Sequence, residues 1–260
     1  MELFKDNQRI NTVDKWKSLA PPKGGDKQWI DNRSAKEAAK AWIEAQPGVP
    51  IEISKLFEGS EHFSKTEFEK AEPEYQIHFD SYRGPRNADL AIWAKDEHGP
   101  IGITVEAKAD ESFDVRVKEY CSAGLEERVK NPRSQRMYRI TELSQALFFT
   151  RSPYTPKIGD LRYQLLTAAA GTIVHATEIG ADRAVMIIQE FVTSATSRLK
   201  LAENRLDLQQ FLARISGEAK FDLAEDILYG PFEYPGIPNY ASQPHLFIGK
   251  VVRRLGEPSA

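Results

Sequence analysis

Polar and apolar positions alternate along this chain with two different periods. Ala38, Ala41, Trp42 and Ala45 recur at helical spacing behind Ser34 and Glu37, which form a capping-box pattern, and Pro47-Gly48 ends the run. That spacing predicts a helix over 34–45. A second short helical stretch is expected over about 51–57, and a third over 64–71, where Pro73 interrupts it. The period then shortens to two. Residues 75–80, 88–95 and 101–109 are β-rich runs separated by Arg83-Gly84-Pro85 and by Asp96-Glu97-His98-Gly99, and they read as three antiparallel strands.

Beyond residue 113 the helical period returns over 115–129 and 135–149, broken at Asn131-Pro132. Asp160 is placed to cap a further helix reaching about Ala176, whose small residues around Ala169 and Gly171 imply close packing on a sheet. Residues 184–192 are almost continuously apolar, as expected of a central strand covered on both faces. A helix is expected over 199–214. The Pro-, Gly- and Tyr-rich stretch 229–244 then leads to 245–252, which reads as an edge strand. Residues 1–33 are a polar, irregular lead-in marked by Pro21-Pro22 and Gly24-Gly25, with Trp16 and Trp29 expected to dock on the body. The order of elements gives an α/β chain with a central mixed sheet flanked by helices. Its parts are an N-terminal helical lead-in (1–63), a core (64–192), and a C-terminal helix and tail packed on the same domain (193–260).

Composition narrows the function classes. At 260 residues the chain is long enough to bury a sizeable core. Cys121 is the only cysteine, so neither an internal disulfide nor a multi-Cys zinc site can form, and a reducing compartment fits. The charged N-terminus lacks the apolar region of a signal peptide, and the longest mostly apolar stretch, 165–174, is too short to span a bilayer. A cytoplasmic protein without membrane contact is the expectation. A formal net charge of −3 argues against a globally basic nucleic-acid binder, although an enzyme needs only a local basic surface.

The candidate chemistry lies on the second and third expected strands. Side chains alternate along a strand, so Thr104, Glu106 and Lys108 share one face while Val105 and Ala107 take the other. If 96–99 form the loop, 95 pairs with 100 and 93 with 102, and Asp89 falls opposite Glu106. Like charges so opposed are destabilising unless compensated, and a divalent cation compensates them. Two converging carboxylates are hard oxygen ligands suited to Mg2+, and Lys108 adds a donor beside them. A metal-bound water made more acidic, next to a cation that stabilises developing charge, is the apparatus of phosphodiester hydrolysis. The plain alternative is a solvated strand face, because Glu-X-Lys triplets are common.

An acidic residue on one strand followed by Glu-X-Lys on the next, seen here as Asp89 and Glu106-Ala107-Lys108, resembles the PD-(D/E)XK, or restriction-endonuclease-like, nuclease superfamily. The resemblance covers roughly 64–192, where helix, three strands, helices and a further strand follow that superfamily's core order. It implies a restriction-endonuclease-like core and a Mg-dependent endonuclease with DNA as the favoured nucleic acid. It also implies Asp89 and Glu106 as ligands of Mg2+ or Mn2+, the backbone carbonyl of Ala107 as another, and Lys108 as the residue that orients or activates water. Glu74 is the candidate further acid, with Glu72 and Glu69 behind it. Ala88 stands where the motif has proline, and no Gln-X-X-X-Tyr element follows, Gln164 beside Tyr163 being a partial substitute. Many such enzymes pair to cut both strands, so a homodimer is compatible with the resemblance, but no segment marks a dimer face.

Around this motif, Arg83 and Arg86 enter the Asp89 strand and are placed to meet phosphate, with pairing to Asp80 as the alternative. Arg128, Lys130, Arg133, Arg136 and Arg139 form a basic run suited either to phosphate contact or to a solvated face balanced by Glu126, Glu127 and Glu142. Arg83, Arg86, Arg133, Arg136 and Gln164 are therefore the candidate nucleic-acid contacts. Asp110 and Glu111 follow Lys108 but are expected to be solvated. His78, His98, His175 and His245 form no zinc-like pair, and no serine-hydrolase elbow, P-loop or dinucleotide fingerprint is present. Two rivals to a nuclease remain: a catalytically silent nuclease-fold binding or scaffolding module, and a metal-dependent hydrolase of small phosphoesters.

Overall fold

The protein is described by a computed structural model that covers residues 1–63 and 65–256. Two short strands, β1 (Glu2–Lys5) and β2 (Gln8–Ile10), precede helices α1 (Val13–Leu19), α2 (Ser34–Glu44) and α3 (Ile51–Glu58). Strands β3 (Glu67–Ile77), β4 (Arg86–Asp96) and β5 (Gly99–Lys108) follow, then helices α4 (Val117–Lys130), α5 (Arg136–Leu147) and α6 (Tyr163–Glu178). The chain closes with β6 (Arg183–Val192), α7 (Arg198–Ser216), β7 (Ile227–Phe232) and β8 (His245–Arg254). The eight strands form one mixed sheet in the order β2-β1-β3-β4-β5-β6-β8-β7. No helix among the described residues is long and apolar enough to cross a membrane.

The sheet divides the core in two. On one face Ile77, Met186, Ile188, Leu246 and Ile248 pack beneath α5, α6 and α7. On the other, Ile92, Val105, Ile187 and Phe247 meet Trp42 of α2 and Leu56 and Phe57 of α3, together with Trp16 and Trp29 of the lead-in. Every residue of β6 is buried, and the strand is parallel to both β5 and β8, which explains its unbroken apolar sequence. Helix α6 is buried along most of its length because small residues let it approach the sheet closely. Gly102 of β5 is the contact point: a Cβ there would lie 2.5 Å from the Cα of Ala176.

Four sequence expectations are corrected. Residues 67–71, expected to be helical, open β3, and residue 64 lies outside the described residues. Pairing with β4 overrides the helix preference of this Glu- and Lys-rich stretch, and Lys95 meets Glu69 at 2.7 Å across the pair. Pro73 is tolerated because it lies past the two residues of β3 that pair with β1. Strand β8 is not an edge, since β7 covers it on the outside. Asp160 does not cap α6; it ends a short 3-10 turn and pairs with Lys118 at 2.9 Å, and the helix begins at Tyr163. The lead-in, expected to be irregular and then helical, also supplies β1 and β2.

Candidate functional site

The hairpin of β4 and β5 sets the register of the acids. Asp96 pairs with Gly99, Lys95 with Pro100 and Trp93 with Gly102, so Glu97 and His98 form a two-residue turn, and Gly99 takes a φ of +115° that glycine tolerates. The ladder continues to Leu90 opposite Val105, and one further step brings Asp89 beside Glu106. There the backbone N–H of Ala107 donates to the Asp89 carboxylate at 2.7 Å. On the other side of β4, Pro73 pairs with Leu90 and Tyr75 with Ala88, which sets Glu74 opposite Asp89. Glu74, Asp89 and Glu106 therefore form a row of acids across three neighbouring strands. Glu74 belongs to a strand and not to a helix end, and it sits in the left-handed region at φ 47°. A non-glycine residue held there marks a locally over-determined backbone. Lys5 of β1 helps hold it, donating to the Glu74 carbonyl at 2.9 Å while pairing with Glu72 at 3.1 Å. Glu69 is turned to Lys95 instead.

Glu106 is only 3% exposed, yet three side chains donate to it. Lys108 Nζ donates to its Oε1 at 2.7 Å and to the Ala107 carbonyl at 3.3 Å, Gln164 donates to the same Oε1, and Arg86 donates to Oε2. Burial pushes the Glu106 carboxyl up, but Lys108 and Arg86 outweigh it and hold the group below its ordinary range. Burial would lower the Lys108 ammonium, yet Glu106, Asp89 and Glu111 together raise it, so it stays charged. Asp89 goes the other way: burial and the adjacent Glu106 drive its carboxyl well above the usual range, with Lys108 opposing. Glu74 is raised too, by burial first and with Glu106 adding to it, against a hydrogen bond from Asn87 of 3.1 Å.

These groups lie in a cleft of about 800 Å³ whose walls include Lys23, Arg33, Arg139 and Tyr163. Arg33 and Lys23 come from the lead-in, where no chemistry was legible, because the wall is assembled from residues more than fifty positions away from the motif. Of the expected nucleic-acid contacts, Gln164 reaches the site from the first turn of α6. Arg86 is buried, with its guanidinium on Glu106 and, at 3.1 Å, on Thr167. Arg83 is exposed in the loop before β4. Arg133 is exposed after α4, while Arg136 lies 4.0 Å over the Tyr120 ring and 3.6 Å from Glu127, and neither lines the cleft. Arg139, one member of the basic run, does line it and pairs with Asp80 at 2.6 Å. Glu111 is not merely solvated: it accepts the N–H groups of Ala109 and Asp110 and the Ser34 hydroxyl, while Asp110 meets Arg33 at 2.9 Å.

Among the described residues no group of three His, Cys, Asp or Glu side chains is arranged to hold a metal ion. The donors present nonetheless suit a Mg2+-like ion, which uses one or two carboxylates and keeps most of its waters. Asp89 beside Glu106 is a pair whose repulsion a divalent cation would relieve, and the Ala107 carbonyl meets the same Lys108 ammonium that Glu106 does.

No curated protein and no solved structure matches the chain. Residues 9–254 match a family model described as a domain of unknown function, DUF6946, and with nearly the whole sequence covered the chain belongs to that family.

Proposed function

We propose that this protein is a divalent-metal-dependent nuclease of the restriction-endonuclease-like kind, cutting phosphodiester bonds of nucleic acid, with DNA favoured. The observation that carries the reading is the register of Asp89 against Glu106 with Lys108 Nζ 2.7 Å from the Glu106 carboxylate, at the floor of a cleft walled by Lys and Arg side chains. The chain order supports it as well: antiparallel β3, β4 and β5, then helices, then β6 parallel to β5, agrees with the resemblance in the motif. Asp89, Glu106 and the carbonyl of Ala107 would hold Mg2+ or Mn2+, with Glu74 as a further acid. Such an ion would make a neighbouring water more acidic and would withdraw charge from the phosphate. Lys108, buried and cationic, donates toward the attacking water and the charge that develops on the phosphate oxygens. Gln164 steadies the Glu106 carboxylate, and Lys23, Arg33 and Arg139 receive the flanking phosphates.

Incubation of the protein with plasmid, linear duplex, single-stranded DNA and RNA in Mg2+ or Mn2+ tests this. At least one substrate is cut by the parent and spared by Asp89→Ala and Lys108→Ala; variants that cut as well as the parent refute the reading. The saturation of Glu106 by Arg86, Lys108 and Gln164 favours one alternative, a nuclease-fold module that binds without turnover. Tight nucleic-acid binding without cleavage of any substrate, and with no effect of the metal, identifies that case.

A further inference from the structure

Arg86 occupies an unusual place for a residue at the edge of a cleft. It opens β4 three residues before Asp89, lines the cleft, and spends its guanidinium on Thr167 of α6 and on Glu106. One nitrogen donates to Thr167 Oγ1 at 3.1 Å, another to Glu106 Oε2, and Nε is enclosed without a hydrogen-bond partner. Helix α6 makes room for it at Gly171, where a Cβ would come within 3.1 Å of Arg86 Cδ. Since Lys108 and Gln164 already share Oε1, both oxygens of Glu106 are taken by protein donors. A cation that takes the Oε2 side of Glu106 meets Arg86 there.

Arg86 is the donor suited to leave. It holds Oε2 alone, whereas Lys108 and Gln164 share Oε1, and Gln164 carries no charge for a cation to repel. Charge counting points the same way. In a site whose Glu74, Asp89 and Glu106 a bound cation keeps ionised, the three carboxylates set against Lys108 and Arg86 leave one net negative charge from the protein. A divalent cation converts this to one net positive charge, which a single phosphodiester cancels. We propose, building on the nuclease reading, that Arg86 is a positioning residue with two stations. In the cation-free protein it neutralises Glu106, and when a cation takes Glu106 it turns to the substrate phosphate, where a guanidinium fits the oxygens in bidentate fashion. Cation and nucleic acid then bind with positive coupling, and the cation alone binds weakly.

Mn2+ titration by calorimetry, without nucleic acid, tests the first station. Arg86→Met binds Mn2+ about tenfold more tightly than the parent, the equivalent of one charged hydrogen bond no longer competing. Thr167→Val, which loosens Arg86 without touching Glu106, moves affinity in the same direction by less and guards against misfolding of the first variant. The second station is read with a short oligonucleotide in Ca2+, where Arg86→Met binds about tenfold more weakly. Unchanged or weaker Mn2+ binding in both variants, or unchanged oligonucleotide binding, overturns the proposal. Absence of any Mn2+ binding sensitive to Asp89→Asn in parent and variants alike overturns the nuclease reading itself, and the two failures are thereby told apart.

Discussion

Asp89 and Lys108 bear on stability in opposite senses. Asp89 ionises reluctantly because burial and the neighbouring Glu106 raise its carboxyl well above the ordinary value. A raised carboxyl favours the protonated folded state, so its contribution is complete below the unfolded value near 3.8 and is lost as pH rises through the folded value. Asp89→Asn keeps an oxygen for the Ala107 N–H and removes that penalty. The variant therefore melts at a higher temperature than the parent at pH 7 and shows no advantage at pH 4, by differential scanning calorimetry. Lys108→Met acts in the opposite sense: it leaves Glu106 buried with one fewer cation and lowers stability by about 2–4 kcal/mol in urea titrations. A loss below about 0.5 kcal/mol would mean that Arg86 and Gln164 satisfy Glu106 alone. Such residues were legible in the sequence because Glu-X-Lys and the preceding Asp share a face once alternation and the hairpin turn are counted. Sequence position alone sets Arg86 toward phosphate, because nothing local signals that its partners are Glu106 and Thr167, twenty and eighty-one positions away.

Helix α6 and its seat on the sheet set the next scale. His175 is fully buried there, edge-on to Trp93 at 4.7 Å, with Nε2 donating to the Ile92 carbonyl at 3.1 Å and Nδ1 enclosed without a partner. Protonation would bury an N–H at Nδ1 with no acceptor, and burial accordingly depresses the imidazole to about 4. A lowered folded value gives stability that is complete above the unfolded value near 6.5 and is lost as pH falls toward 4, on the order of 3 kcal/mol in all. Denaturant titrations from pH 7 to pH 4 show this slope in the parent and a flatter one in His175→Phe; equal slopes would assign the acid sensitivity elsewhere. Gly102→Ala, forced against the backbone of Ala176, costs about 1–3 kcal/mol and moves Gln164 away from Glu106. Unaltered stability would show that α6 rests on the sheet less closely. Long periodic elements such as α2, α5, α7 and β6 could be read from periodicity, and the small residues of α6 correctly indicated close packing. The exceptions lie where pairing partners are distant: β3 begins in a helix-favouring sequence that β4 recruits, and β7 is too broken by Gly230 and Pro231 for its pattern to register.

Across the whole molecule, eight strands distribute the work between a rigid centre and an assembled cleft. The lead-in closes one wall of that cleft with Lys23 and Arg33, and its first strand reaches Glu74 through Lys5. Neither role could be seen in a segment that reads as polar and irregular: the Lys5 contact arises only when β1 lies parallel to β3, and Lys23 and Arg33 meet the site only across the folded chain. The motif itself survived this assembly because its residues sit on neighbouring strands close in sequence. The claim that these residues form a metal-dependent nuclease is tested most directly by the single-turnover cleavage rate of the parent and of Lys108→Ala on the best-cut substrate, at saturating Mn2+. A fall of about a hundredfold or more, with oligonucleotide affinity little changed, is the predicted result. Equal rates for the two proteins would contradict the assignment of Lys108, and with it the site built around Asp89 and Glu106.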